Sequence, residues 1–221
     1  MQALISFIST AVGKWFNPDN AHGYQCKDLI DALCLWLWGD WVNTVRPGNG
    51  NAVFDNANPD YFVKVANDPN DPNQLPTFGS VLSFAGSAAV PEGHTAIALS
   101  ADNDGVNVIQ MNGYTQVAAH LARLPYDGLI GWLVPRLDLT GAQLREVTQG
   151  VAWIRTGPGS GYPLAAGYPE GISQGSQLSV IGYVAGEDPY QDGNNAWYIT
   201  RSGYYVWACA AQDSLDGLVL V

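Results

Sequence analysis

Apolar and polar positions follow a helical spacing at the start of the chain. Between residues 3 and 15, apolar side chains recur every three or four positions, which predicts an amphipathic helix. The segment CKDLIDALCLWLW, Cys26–Trp38, predicts a second and strongly apolar helix. Asp28 lies near its start and Gly39 directly after its last residue, as expected for helix ends.

The pattern changes after the second helix. Residues 43–76 are rich in Asn, Asp, Pro and Gly, which predicts long loops around a short helix near residues 59–66. Three strand patterns follow, at residues 80–84, 94–100 and 106–112. The turn ADNDG separates the last two of them, which predicts a hairpin.

The second half of the chain has an all-β pattern. The runs VAWIRT, QLSVIGYV, AWYITRSG and YYVWACA are separated by turns rich in Gly, Pro and Asn, a rhythm typical of a small barrel. The connecting segment LDLTGAQLREV is short and poor in Gly and Ser, so the halves are expected to lie close together. We therefore predict an α+β domain at residues 1–138 and a small all-β domain at 139–221.

Composition narrows the function classes. The 221 residues are 47% hydrophobic and 13% charged, which favours a packed core over disorder. The net charge of −11 argues against a nucleic-acid binder and against attraction to anionic membranes. No apolar run approaches the roughly 18 residues of a membrane-spanning helix, so stable membrane insertion is not expected. No positive charge precedes Lys14, so no secretory signal is expected either.

Three cysteines are too few and too widely spaced for a disulfide framework or a structural zinc site. Cys26 lies in the first turn of the second predicted helix, where unpaired N–H groups and the helix dipole stabilise a thiolate and lower the thiol pKa. Cys34 lies in the middle of that helix and Cys209 in a predicted strand, so both are predicted to be core residues. The alternative is that all three are small buried hydrophobic residues.

A cysteine nucleophile needs a base, and His94 is the best-placed histidine. It opens the strand HTAIALS, whereas His22 and His120 lie in predicted loops. Gln110 and Asn112 are two residues apart on the next strand and share one face, so either amide can accept the far ring N–H of the base and fix its tautomer. The order cysteine, histidine, amide is compatible with papain-like chemistry.

The segments GYQCKDL, GNGNA, PTFGSVLSF, GHTAIAL and VNVIQMNGY, spread over about residues 16–135, resemble CHAP domains. These are cysteine- and histidine-dependent amidohydrolases or peptidases of cell-wall lysins. The resemblance implies a papain-like fold, with Cys26 as nucleophile, His94 as general base, and the Gln25 side chain and Cys26 N–H as oxyanion donors. The family often has Glu where this chain has Gln110. Whether Gln110 orients His94, or whether Asn112 orients the base or supports the oxyanion site, stays open.

Some CHAP domains bind calcium just before the cysteine. Carried over by position, the ligands are the side chains of Asn17, Asp19 and Asp28 and the carbonyls of Ala21 and Gly23. Oxygen ligands suit Ca²⁺, and an amide in place of the usual first carboxylate implies weaker affinity. The alternative is that these residues form only a turn and a helix cap.

The second half resembles bacterial SH3 (SH3b) wall-targeting domains over about residues 146–212. The segments that carry the resemblance are VAWIRTGPGSGYP, GSQLSVIGYVAGE and NNAWYITRSGYYVWA. Such SH3-like barrels hold wall peptides or glycopolymers in a shallow aromatic groove. Among the aromatic side chains here, Tyr183, Tyr204 and Trp207 are the first candidates.

Both resemblances together imply a phage endolysin. Its partner is peptidoglycan, which it cleaves through a thioacyl intermediate as an N-acetylmuramoyl-L-alanine amidase or as an endopeptidase of the stem or cross-bridge. We expect a monomer that stays in the host cytoplasm until the membrane is permeabilised and then acts on the wall. Two alternatives remain, namely a bacterial wall-remodelling hydrolase and a non-catalytic wall-binding protein with a decayed site.

Overall fold

The computed structural model describes residues 2–45, 48–112, 116–137, 143–165, 168–191, 193–200, 203–211 and 218. The first half combines two helices and a 3-10 turn with six antiparallel strands. These elements are α1 (Gln2–Ala11), α2 (Cys26–Trp38), the 3-10 turn (Gly50–Ala52), β1 (Phe62–Ala66), β2 (Val81–Phe84), β3 (His94–Asp102), β4 (Gly105–Gln110), β5 (His120–Leu124) and β6 (Leu129–Pro135). The strands form one sheet in the order β1-β6-β2-β3-β4-β5. The predicted mixture of helix and sheet is confirmed.

Helix α2 has the predicted bounds because both of its ends carry local signals. The Asp28 carboxylate accepts the backbone N–H of Gln25 at 2.7 Å, as the acidic residue of a capping box does. At the other end Gly39 adopts a left-handed conformation with φ 69°, and its N–H donates to the Leu35 carbonyl at 2.9 Å. Cys26 is therefore held at the first helical position.

Helix α1 ends four residues earlier than predicted. Gly13 has φ 81°, a conformation that glycine adopts readily, and the chain leaves the helix there. The Gly13 N–H donates to the Ala119 carbonyl at 2.7 Å, and the Ala119 N–H donates to the Lys14 carbonyl at 2.9 Å. These contacts tie the segment after α1 to the residues that precede β5.

The predicted helix near residues 59–66 is wrong, because Phe62–Ala66 forms strand β1. The strand pairs antiparallel with β6, with Phe62 opposite Pro135. Phe62 is buried while Val63 is exposed, and the β-branched valines suit an edge strand with one face on the core. Pairing with β6, a strand that the sequence analysis did not predict, decides the conformation.

The sheet separates two clusters of buried side chains. Ile97, Ile109 and Leu133 belong to the cluster that contains the apolar faces of both helices. Ala98 and Val108 belong to a second cluster on the opposite face. The strands predicted at 80–84, 94–100 and 106–112 are present within a few residues, and β3 and β4 form the predicted hairpin.

The described part of the second half is built from short antiparallel strands and a 3-10 turn, with no α-helix. These elements are β7 (Gln143–Glu146), β8 (Val151–Ala152), β9 (Ile172–Ser173), β10 (Gln177–Ala185), β11 (Ala196–Thr200), β12 (Tyr205–Trp207) and the turn Ala208–Ala210. Four strands form a sheet in the order β12-β11-β10-β7, and β8 pairs with β9. The predicted boundary at residues 138 and 139 lies outside the described residues. Across the described ranges, no helix is long and apolar enough to cross a membrane.

Cys209 lies in that last 3-10 turn, so its predicted place in a strand is wrong. Its Sγ accepts a hydrogen bond from Asn194 Nδ2 at 2.7 Å, and the side chain is only half-buried. Strand β12 ends at Trp207, two residues too early to include it.

The two halves share one hydrophobic cluster. Four buried side chains of the second half lie in the same cluster as α1 and α2, namely Ile181, Trp197, Ile199 and Tyr205. The Tyr205 hydroxyl also donates to the Leu99 carbonyl of β3, and the Phe78 N–H donates to the Gly203 carbonyl at 3.2 Å. The second half is thus packed against the first half.

Candidate active site

Cys26 lies where the start of α2 meets strand β3. Its thiol is within hydrogen-bonding reach of the backbone N–H of Thr95, and of its own N–H and that of Lys27 at the helix start. Thr95 follows His94 directly in the chain, and the Thr95 hydroxyl is fixed by donation to the Leu82 carbonyl at 2.6 Å. The structure therefore brings the cysteine to the strand position next to the histidine.

Burial controls the charge state of this pair. It raises the pKa of the Cys26 thiol, and the N–H groups of Thr95 and of the helix start offset this effect only in part. The predicted lowering of this pKa is therefore wrong in sign. Burial also lowers the pKa of His94, against the opposing effect of its hydrogen bond with Gln110. Both shifts favour the neutral forms, a thiol beside an uncharged imidazole.

The two ring nitrogens of His94 have different surroundings. Nε2 lies 2.7 Å from Oε1 of the buried Gln110 on β4. An amide oxygen only accepts, so Nε2 carries the proton in the neutral ring. Nδ1 is buried and has no hydrogen-bond partner among the described residues, which leaves its lone pair unused.

The 3-10 turn of the GNGNA segment packs against the backbone of His94. A Cβ atom at Gly50 would lie 2.9 to 3.0 Å from the His94 backbone atoms, closer than such contacts normally come. The Gly50 carbonyl accepts the Ser83 hydroxyl of β2 at 2.8 Å. This position therefore needs glycine to let the turn support the start of β3.

Asn112 contacts the loop before Cys26. Its Nδ2 donates to the Tyr24 carbonyl and its Oδ1 accepts the Val117 N–H at 2.7 Å, while the residue itself has φ 46°. Within the described residues, no hydrogen bond joins Asn112 to His94. The amide that contacts the histidine is Gln110, and the amide that contacts the nucleophile loop is Asn112.

Two pockets meet beside the pair. The first, of about 310 Å³, contains the predicted oxyanion residue Gln25 along with Cys26, Glu92 and Asn112. The second, of about 460 Å³, is more apolar. Its lining includes Phe84, His94, Gln110, Leu124 and Asp127. Val90 and Gly93 line both pockets, so the pocket beside the nucleophile and the pocket beside the base share a wall.

His120, which the sequence analysis placed in a loop, extends this arrangement. It opens β5 directly opposite Gln110 in the strand register. Its Nε2 lies 3.2 Å from Gln110 Nε2, and its Nδ1 lies 2.9 Å from the Ala118 carbonyl oxygen. The sequence HLARL gives no clear signal for this strand, because its apolar and polar residues do not alternate and Leu121 is exposed.

The loop before α2 contains an unsatisfied buried oxygen. Asn17 Oδ1 is buried without a hydrogen-bond partner in the described structure. Burial, with the nearby charge of Asp19, raises the pKa of Asp28 to about 6. Asp19 Oδ1 accepts the Ala21 N–H at 2.9 Å, and Gly23 has φ 73°. The described residues hold no group of three or more His, Cys, Asp or Glu side chains suited to a metal.

The chain shares its fold with a solved endolysin. That crystal structure, of wild-type endolysin LysIME-EF1, has a TM-score of 0.51 and 18% sequence identity, and the match covers 90% of this chain and 78% of the other. Two structures of Ly7917, one with the hydrolysing product of MDP, have TM-scores of 0.47 and 0.46 at 15% identity, with 93% of this chain and 90% of theirs covered. Neither protein-family models nor curated proteins give a match to the sequence.

The three aromatic side chains predicted to bind the wall do not lie together. Trp207 borders a pocket of about 330 Å³ with Trp153 and Tyr190, and the ring centroids of Tyr190 and Trp207 are 4.9 Å apart. Tyr204 borders a different pocket, and Tyr183 borders neither of these two. The exposed Tyr190 was not among the predicted residues. It lies in a turn, where strand alternation gives no signal.

Proposed function

We propose that this chain is a peptidoglycan hydrolase, an endolysin in which a CHAP-type papain-like domain at residues 1–138 cleaves an amide bond. The observation that carries the proposal is the placement of Cys26 beside β3, next to His94. The base has its Nδ1 unused and its Nε2 held by Gln110. The fold shared with a solved endolysin supports peptidoglycan as the substrate class. The monomeric enzyme reaches this substrate once the host membrane is permeabilised.

Acylation begins from the neutral pair. Cys26 Sγ attacks the amide carbonyl carbon as its proton moves to His94 Nδ1, which forms an imidazolium whose Nε2–H is held by Gln110. The Cys26 backbone N–H and the Gln25 side chain stabilise the oxyanion. Collapse of the tetrahedral intermediate returns the proton to the leaving amine and leaves a thioacyl-enzyme.

Deacylation uses the same base. The neutral His94 accepts a proton from water as the water oxygen attacks the thioester carbonyl, and the collapsing intermediate expels the Cys26 sulfur, which recovers the proton. The products are a carboxylic acid and an amine. Gln110 serves both steps by keeping Nδ1 as the nitrogen that exchanges the proton.

Mass spectrometry of purified walls after digestion tests this function. An amidase releases intact stem peptides with a new N-terminal alanine, and an endopeptidase leaves shortened stems on the glycan. Either result supports amide hydrolysis. A protein that binds walls but releases neither product is a wall-binding protein without activity, and the proposal is then wrong.

We also propose that calcium binds the loop before α2. The unsatisfied Asn17 Oδ1 and the carboxylates of Asp19 and Asp28 are suitable ligands, with the carbonyls of Ala21 and Gly23 completing an all-oxygen set. Bound calcium would supply only charge neutralisation and rigidity there, because none of these residues takes part in the proposed proton transfer.

Calcium is expected to raise the melting temperature at pH 7.5 and to raise it less at pH 5. Asp28, whose folded pKa of about 6 exceeds that of the unfolded chain, lowers stability as pH rises from about 4 through 6, and bound cation offsets that loss. Asp28→Asn keeps an oxygen that can accept the Gln25 N–H but removes the charge, so its melting temperature should respond little to calcium. Calorimetry without heat at millimolar calcium, together with no thermal shift, would contradict the site.

The second half is proposed to be an SH3b-type wall-binding domain. Its proposed binding surface is the pocket of Trp207, Trp153 and Tyr190, because it combines half-exposed and exposed rings. Trp153 is 46% and Tyr190 is 72% exposed, so both rings can contact a ligand at little cost in folding stability.

Trp153→Ala and Tyr190→Ala are each expected to weaken binding to purified walls about tenfold, since an aromatic contact at the centre of an interface is worth more than about 1 kcal/mol. Tyr168→Ala removes a ring that is 36% exposed elsewhere in the second half and serves as the matched control. Wall pull-down measures the bound fraction. Equal weakening by all three variants would assign no special role to this pocket.

A further inference from the structure

We propose that His120 is a positioning residue that fixes the amide orientation of Gln110 and, through it, the tautomer of His94. The inference rests on the proposed function, in which His94 is the general base. The three side chains form one hydrogen-bonded series across β3, β4 and β5, with contacts of 2.7 Å between His94 and Gln110 and 3.2 Å between Gln110 and His120.

The direction of every hydrogen bond follows from a backbone carbonyl. The Ala118 oxygen only accepts, so His120 Nδ1, 2.9 Å away, carries the proton. In the neutral ring His120 Nε2 then has a lone pair and accepts from the Gln110 amide nitrogen. The amide oxygen therefore faces His94, and His94 Nε2 must donate to it.

This series leaves His94 Nδ1 without a proton, and Nδ1 is the buried nitrogen that has no partner among the described residues. If the Gln110 amide turned over, its nitrogen would donate to His94 Nε2, and the proton of the neutral ring would move to Nδ1. That tautomer cannot accept the proton of Cys26 at Nδ1. His120 therefore keeps the base in its active form without touching the substrate.

The series also explains why an amide suits position 110. Gln110 must accept from one histidine and donate to the other, and a side-chain amide does both. A carboxylate only accepts hydrogen bonds. In Gln110→Glu, a carboxylate oxygen would therefore face the lone pair of His120 Nε2, with no proton between them. The His120 ring would then have to take up a second proton. The amide of Gln110 instead forms a hydrogen bond with each histidine without a second proton on either ring.

The experiment compares His120→Phe, which has no acceptor, with His120→Gln, whose amide oxygen can accept from Gln110. Leu121→Ala is the matched control, because Leu121 lies on the same strand with its side chain 61% exposed. We expect kcat/KM on wall fragments to fall roughly three- to tenfold in His120→Phe, the equivalent of one hydrogen bond, with KM little changed. His120→Gln should recover most of the loss, and Leu121→Ala should behave as the parent protein.

Nitrogen-15 NMR of the histidine rings at a pH near 8, where neutral rings prevail, gives a readout that does not depend on activity. The parent protein should show His94 protonated at Nε2 and His120 at Nδ1. His120→Phe should add a second His94 tautomer, and Gln110→Glu should show His120 protonated at both nitrogens.

The outcomes separate the two proposals. The expected ring signals in a protein without hydrolytic activity would support the role of His120 and contradict the proposed function. A His120→Phe variant with unchanged His94 signals and unchanged kcat/KM would overturn the role of His120 and leave the hydrolase proposal standing. A parent protein with His94 protonated at Nδ1 would overturn the role of His120 together with the proposed proton transfer to Nδ1.

Discussion

Replacing Cys26 with serine is expected to lower wall hydrolysis by a factor on the order of 10⁴ or more, as loss of a nucleophile does in other covalent hydrolases. A serine hydroxyl is a far weaker acid than a thiol. Burial lowers the pKa of His94, so the imidazole is too weak a base to compensate. Turbidity loss of whole cells and release of soluble wall fragments measure the effect.

Cys34→Ser and Cys209→Ser are the matched controls and should retain most of the activity. Cys34 is fully buried, and burial raises its pKa to about 12, whereas Cys209 lies far along the chain in the second half. Near-parental hydrolysis by Cys26→Ser would show that another group is the nucleophile.

Alkylation by iodoacetamide tests the resting state of the same residue. Because burial raises the Cys26 pKa, the labelling rate should climb with pH through neutrality and level off only above 9. A thiolate–imidazolium pair would instead be labelled at a nearly constant rate from about pH 5 upward.

Deleting residues 141–221 is expected to unfold the first half, in addition to removing wall binding. The deletion takes away four buried side chains of the shared cluster, Ile181, Trp197, Ile199 and Tyr205. Each apolar side chain of the first half that loses its cover costs up to about 1.5–3 kcal/mol, so exposure of a few of them removes a large part of the roughly 5–15 kcal/mol that stabilises a typical domain. Calorimetry should show one cooperative transition for the full chain and none for the truncated chain.

The control for this deletion is the double variant Trp153→Ala, Tyr190→Ala, which changes only exposed or half-exposed rings. It should bind walls poorly, melt near the parent temperature and still cleave small soluble fragments. A truncated chain that melts cooperatively and cleaves such fragments as fast as the full chain would show that the first half is independent.

Local signals account for what the sequence predicted well. The ends of α2 follow from Asp28 and Gly39, each of which acts within a few residues, and Cys26 is placed by the same helix start. The β3–β4 hairpin likewise follows from strand patterns on both sides of a short turn.

Long-range pairing accounts for what the sequence did not predict. Strand β1 was mistaken for a helix because its partner β6 lies more than sixty residues away. The contact of His120 with Gln110 depends on the register of β5, and the direction of the Cys26 pKa shift depends on burial that only the finished fold creates. Tyr190, which borders the same pocket as Trp153 and Trp207, lies in a turn, where strand alternation does not indicate which side chains share a face.

The shared cluster also sets an order of events during synthesis. Cys26 leaves the ribosome early, but Tyr205, whose hydroxyl donates to the Leu99 carbonyl of the strand that begins with His94, is made almost 180 residues later. Contacts that far apart in sequence form only when the chain is nearly complete. A growing chain therefore carries Cys26 and His94 before strand β3 has its contacts with the second half, and these contacts form only as translation finishes.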